Sequence, residues 1–254
     1  MSLERFFTEL DAPSRTLLVV NRDAPRQLQT ILEETFQDQS VDVTDAMLPD
    51  TDADTVVLVD DDSGEIVASS PLSQLERTIL LVNSDLYKTG TETLDTFELP
   101  DVLAGLDEIP FRLQGYPESN NEKLLLIVIS RYIERLAWQT DAGRHRASFQ
   151  HLSRLNDESG TRSVYETLGP SDVQTHVYGV PDWIPSEDMG LITHGGYTDE
   201  FTDAWFVVHS PPEAHADQAA ALVALETDAR LWDGFWTFDP DWVDEIDRYI
   251  AHNL

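Results

Sequence analysis

The chain has 254 residues, 48 of them acidic and 16 basic, for a net charge of −32. A nucleic-acid surface needs far more positive charge, and so many like charges strain a compact chain at ordinary ionic strength. There is no cysteine, which excludes a disulfide framework, a thiol nucleophile and a Cys-based zinc site.

Molar salt shrinks the Debye length to about 3 Å and relieves most of that self-repulsion. Only two of the cations are lysines, Lys88 and Lys123. The composition therefore predicts a protein that stays folded and dispersed in a salt-rich cytoplasm. A hydrophobic content of 41% with regular periodicity argues against an acidic disordered chain. The first residues, MSLERFFTEL, lack the basic start and long apolar stretch of a signal peptide. The longest apolar run, Leu124–Ile129, is far short of a membrane span, so no membrane partner is expected.

In chain order, Ser2 followed by Leu3, Phe6, Phe7 and Leu10 predicts a short helix with a serine cap. Thr16–Val20 predicts a buried strand, and Pro25 with Leu28, Ile31, Leu32 and Phe36 a helix. Thr55–Val59 and Glu65–Ala68 flank Asp60-Asp61-Asp62-Ser63-Gly64 as a hairpin, and a helix with Leu72, Leu75 and Ile79 follows Pro71. Three prolines between Thr89 and Glu118 suggest a linker. The strongest helix then runs from about Ser119 to Trp138. Arg146–Gln150, Thr175–Val180, Leu191–Thr193, Ala204–His209 and Ala221–Glu226 read as strands. Thr161–Leu168 and Trp242–Ile250 read as helices. The expected fold is α+β: a small α/β unit over 1–118, then a domain over 119–254 with a mainly antiparallel sheet flanked by helices.

Two features could carry chemistry. Arg131–Arg162 holds six arginines (131, 135, 144, 146, 154, 162) against four acids, a local excess of cations. Either these guanidinium forks receive an anionic ligand or acidic partner, or they pair with nearby carboxylates and hold the helix to the sheet. Five of the six tryptophans (183, 205, 232, 236, 242) lie in the last third, as an aromatic core or a pocket wall. The histidines show no zinc-like spacing, and Asp60–Asp62 reads as a solvated hairpin tip rather than a cation loop. No P-loop, G-x-G-x-x-G or G-x-S-x-G stretch is present, and no catalytic residue is assigned.

An ordered set of motifs remains. Ile129-Ser130-Arg131-Tyr132-Ile133-Glu134 is followed by Ser148-Phe149-Gln150, Ser153-Arg154, then Tyr165 and Leu168. Val177-Tyr178-Gly179-Val180-Pro181-Asp182, Trp205–Val208 and Phe235–Phe238 complete it. In this set, over about 119–251, the chain resembles the DICT sensory domain, named for its occurrence with diguanylate cyclases and two-component systems. The Trp205–Val208 and Phe235–Phe238 segments also resemble those of haloarchaeal members, and residues 1–118 resemble the leading region of halophilic proteins of this family. The resemblance implies a sensory or signal-transduction module and marks Ser130–Glu134, Ser148–Arg154 and Tyr178–Asp182 as functional or fold-defining. The chain departs from the family pattern in carrying no recognisable cyclase, kinase or DNA-binding output, so signalling would pass through such a protein as partner.

The expectation is thus a non-enzymatic sensor that binds a small molecule or a signalling protein. Arg131 and Arg154 are the candidate anion forks, and Tyr178, Trp183 and Trp205 the candidate aromatic wall. Glu134, Ser148, Gln150 and Asp182 come from the motifs that carry the resemblance. No cofactor or metal is assigned. The rival readings are a protein-interaction scaffold for a kinase or regulator, and an enzyme of unrecognised type.

Overall fold

The apolar run at Thr16–Val20 becomes the inner strand of a small sheet in the computed structural model, which describes residues 2–23, 41–47, 49, 52–83, 94, 97–114, 124–157 and 159–254. Strand β1 (Arg15–Val20) pairs in parallel with β2 (Val41–Ala46) and antiparallel with β3 (Thr55–Asp60). The expected hairpin joins β3 to β4 (Ile66–Pro71). Its tip carboxylates serve the turn itself: Asp60 accepts from the Ser63 amide and hydroxyl at 2.8 and 2.9 Å, and Asp61 from Ser14 and Thr16 at 2.8 and 2.7 Å. Helix α2 (Leu72–Asn83) starts where Pro71 predicts. The helix expected behind Pro25 lies outside the described residues.

Helix α1 (Glu4–Glu9) forms, but without the serine cap: Leu3 occupies the cap position and no side chain caps the helix. Packing fixes it instead. Phe6 is fully buried against Trp242 and Tyr249, and Phe7 meets the edge of Phe235.

The expected linker is corrected by the described part of that stretch, residues 97–114. Phe97, Leu99, Val102, Leu103, Leu106, Ile109, Phe111 and Leu113 are all buried. Pro100 immediately precedes α3 (Asp101–Ala104) and Pro110 immediately precedes β5 (Phe111–Gln114). These prolines mark element starts, where a missing N–H costs little, rather than loose chain.

The remaining elements are α4 (Leu124–Thr140), β6 (Arg144–His151), α5 (Arg154–Asp157), α6 (Ser159–Leu168), β7 (Gln174–Val180), β8 (Ile192–Gly195), α7 (Asp199–Thr202), β9 (Ala204–Ser210), β10 (Ala220–Asp228), β11 (Leu231–Thr237) and α8 (Pro240–Asn253). They build a seven-stranded sheet in the order β5-β11-β10-β9-β6-β7-β8. Pairing is antiparallel from β5 to β6 and parallel from β6 to β8, so the fold is α+β with a mainly antiparallel large sheet. Strand β11 was not among the expected strands. Gly234 interrupts its aromatic pattern, and a Cβ there would strike the Phe111 ring at 2.3 Å; the ring covers the glycine from the neighbouring strand.

One core fills the space between the two sheets. It joins Leu17, Val19 and Leu58 of the small sheet to α2, the 97–113 segment, α4, α6 and one face of the large sheet. A second core lies on the other face, under α1, α7 and α8. Helix α8 is built as its sequence suggests. Asp239 caps it by accepting from the amides of Asp241 and Trp242, Pro240 opens it, and Val243, Ile246, Asp247 and Ile250 form the buried stripe.

Among the described carboxylates only Glu134 and Asp247 are buried. The acidic excess therefore faces solvent, where screening acts on it. Raising KCl from 0.2 to 3 M is expected to lift the thermal unfolding midpoint by about 10 °C or more, followed by circular dichroism. A flat or falling midpoint would remove the salt-adaptation reading.

Candidate functional site

Strand β6 is where the large sheet changes direction, antiparallel to β9 on one side and parallel to β7 on the other. Its ladder with β9 ends at Ala147–Val207, and its register with β7 slips between Ser148 and His151. Gln150 absorbs the slip in a left-handed conformation, φ +59°, which costs a residue with a side chain roughly 1–2 kcal/mol. Gly179 permits the close approach: a Cβ there would lie 3.2 Å from the Leu152 nitrogen and 3.4 Å from the Gln150 carbonyl carbon. Beyond β6 the chain turns to α6 over one core, and beyond β8 it passes through α7 over the other.

The side chains gathered there form a connected set. Gln150 is 4% exposed. Its Oε1 accepts from the Arg154 guanidinium at 2.5 Å, and its Nε2 points to Glu226 Oε2 at 3.5 Å. Half-buried Trp205 donates from Nε1 to Ser130 at 3.0 Å and meets buried Trp232 edge-on at 6.1 Å between centroids. Asp182 fixes the neighbouring loop, accepting from the Ser153 amide and hydroxyl, each at 2.9 Å, and lying 3.0 Å from His151 Nδ1.

The arginine-rich stretch separates into roles. Arg131 pairs with Glu134, both buried, and also donates to Thr161 on α6 at 2.8 Å. Arg144 and Arg146 share Asp247 of α8 at 2.9 and 2.6 Å. Arg162 pairs with Glu166 at 2.8 Å, and Arg135 donates to the Phe97 carbonyl. Arg154 bonds the neutral Gln150 amide and, like Arg135, meets no carboxylate among the described residues.

The structure thus brings Gln150, Arg154 and Trp205 to one end of the sheet, with Asp182 bracing its rim. Arg131 and Glu134 lie beneath, cross-linking α4 to α6. Burial, then the charge of Glu134, pushes the Tyr165 phenol well above its ordinary range, and Tyr165 in turn reaches His145 at 3.3 Å. Tyr178 belongs to the opposite core, where its hydroxyl accepts from Arg146 at 2.7 Å, so it shares no wall with Trp205. Ser148 donates to the Ala204 carbonyl at 2.9 Å, and half-buried Trp183 packs against the first core. Trp232 and Trp236 are core residues, 1% and 0% exposed.

Two features escaped the sequence. Glu226 is one carboxylate among 48, and only strand register places it beside Gln150. The register also brings His176 Nδ1 to 2.9 Å from His194 Nε2, with Tyr178 stacked on His194 at 4.3 Å. Burial, followed by the Arg146 charge, holds His176 down at about 4. Among the described residues no group of three or more side chains is arranged to hold a metal ion, and no helix is long and apolar enough to cross a membrane.

Compared with known proteins, the chain matches no protein-family model and no curated protein sequence.

Proposed function

We propose that this chain is a non-enzymatic sensory module of a salt-rich cytoplasm. It binds a small ligand through an anionic group at Arg154 and passes the occupied state to a signalling partner, a kinase, cyclase or regulator. The observation that carries this reading is the Arg154 guanidinium. In a chain with 48 acids to 16 bases it meets no carboxylate among the described residues, and it stands at the divergence of the large sheet. A guanidinium fork left without a carboxylate is suited to an incoming carboxylate or phosphate. The resemblance to DICT sensory domains supports the same place, because Ser148-Phe149-Gln150 and Ser153-Arg154 are the β6 end and its first turn.

Arg154→Ala tests this. Protein purified in 3 M KCl is denatured in methanol, and the released small molecules are identified by mass spectrometry. Wild type is expected to release one metabolite that bears a carboxylate or phosphate in near-equimolar amount, and the variant at least about tenfold less. The unfolding midpoint of the variant should stay within about 2 °C of wild type, since Arg154 is half-buried and makes one neutral contact. Equal release from both proteins, or a collapse in stability, would return Arg154 to a purely structural role.

A further inference from the structure

Arg154 and Glu226 are both half-buried and oppositely charged, and they do not pair with each other. Glu226 Oε1 accepts the Arg230 backbone N–H at 2.8 Å. Among the described residues its Oε2 has only the 3.5 Å approach of Gln150, longer than an ordinary N–H···O bond. No cation is bonded to this carboxylate among the described residues. Between the two charges lies the Gln150 amide, 4% exposed and held by its left-handed backbone. It acts as a spacer that keeps an arginine and a glutamate from collapsing onto one another.

The spacer also sets a length. Contacts of 2.5 and 3.5 Å, joined by the width of one amide, put the guanidinium nitrogen and the carboxylate oxygen about 8 Å apart at most. A molecule with an ammonium and a carboxylate on the same carbon carries its charges about 3 Å apart and spans that gap with a charge-assisted bond of about 2.8 Å at each end. A dianion would be repelled by Glu226, and a diamine by Arg154. Half-buried Trp205, on the same end of the sheet and backed by Trp232, offers apolar surface for a side chain.

Resting on the reading of Arg154 above, we infer that the ligand is a free α-amino acid. Its carboxylate lies on Arg154, its ammonium lies on Glu226, and Gln150 sets the distance between them. Each end replaces water around a half-buried charge with a fixed counter-charge, and a ligand lacking either end leaves one of them uncompensated.

The test titrates the twenty proteinogenic L-amino acids, one at a time, into the full chain in 3 M KCl by calorimetry. At least one is expected to bind one-to-one. Its N-acetyl derivative and its decarboxylated amine should each bind at least about tenfold more weakly. Glu226→Gln and Arg154→Gln are each expected to lower affinity by a similar factor without moving the ligand-free unfolding midpoint by more than about 2 °C. Gln150→Gly, which relaxes the left-handed backbone and removes the spacer, should lose binding. Heat from no amino acid, or affinity that survives Glu226→Gln, overturns the inference. Should the N-acetyl derivative bind as tightly and still require Arg154, the amino-acid assignment falls while the anion site stands. Should no amino acid bind and the methanol extract also be empty, both fall.

Discussion

Replacing Asp247 with asparagine is expected to destabilise the protein by about 3–5 kcal/mol, the usual cost of removing one member of a buried ion pair. Asp247 is 2% exposed and bonded to the Nε of both Arg146 and Arg144. Arg146 is 5% exposed and also holds the Tyr178 hydroxyl. Neutralising Asp247 leaves the Arg146 charge inside the protein with no counter-charge, and the large sheet loses its polar tie to α8. At about 2–4 °C per kcal/mol for a chain of this size, the unfolding midpoint should fall by roughly 6–20 °C. Asp244→Asn, beside it on the exposed side of α8, is the control, and its expected cost is below about 1 kcal/mol. Arg146→Met combined with Asp247→Leu should recover much of the loss, because the pair leaves together and no charge stays buried. Equal midpoints for Asp247→Asn and Asp244→Asn would show that the buried pair contributes nothing.

Acid is expected to unfold the protein well before its carboxylates are protonated. His145 and His209 face each other across the β6–β9 ladder, both 0% exposed. Burial, with a smaller contribution from His209, holds His145 down at about 3; burial also holds His209 at about 4. The unfolded chain protonates both near the ordinary histidine value, so their contribution to stability is complete above about pH 6.5. It is lost as pH falls from there towards the folded values. Lowering pH from 7 to 5 should remove about 2 kcal/mol per histidine, roughly 4 kcal/mol for the two. Denaturant titrations at pH 7, 6 and 5 in constant KCl measure this directly. His145→Phe, which keeps the ring beside Tyr165 without a titrating nitrogen, should remove that histidine's share, about 2 kcal/mol, of the loss between pH 7 and 5. The same stability at pH 7 and pH 5 would mean that the pair takes up its protons in the folded state.

Much of the fold was legible because local pattern and tertiary environment agree. Thr16–Val20, the long apolar helix and the amphipathic stripe of α8 each bury the face their periodicity marks, and the Asp60–Gly64 turn forms where its residue types put it. The failures have physical causes. The 97–114 stretch is made of short elements whose prolines sit at their starts, so no window is long enough to show a period. Strand β11 was hidden because Gly234 relies on Phe111, a residue far away in sequence, to fill its place. The site was half legible. Arg154 and Gln150 stand in motifs that could be named, but their significance depends on which arginines find carboxylates. That is a property of tertiary packing: helical spacing puts Asp247 on the stripe of Val243, Ile246 and Ile250, but only the fold brings Arg144 and Arg146 to it from another element. Glu226 was invisible for the same reason.

The way β5 and α1 join the large sheet also sets an order for folding. Leu113 pairs with Trp232, and Phe6 packs on Tyr249, so both ends of the chain meet late in synthesis. Until β11 and α8 have been made, β5 has no neighbour for its hydrogen bonds and α1 has no surface for Leu3 and Phe6. The small sheet, built from residues 15 to 71, can pair its strands long before that. Contacts so distant in sequence slow the final closure of the large sheet, and they make it the last cooperative event rather than the first. During that interval the nascent chain is kept apart from its neighbours by the negative charge that accumulates from Glu33 onward.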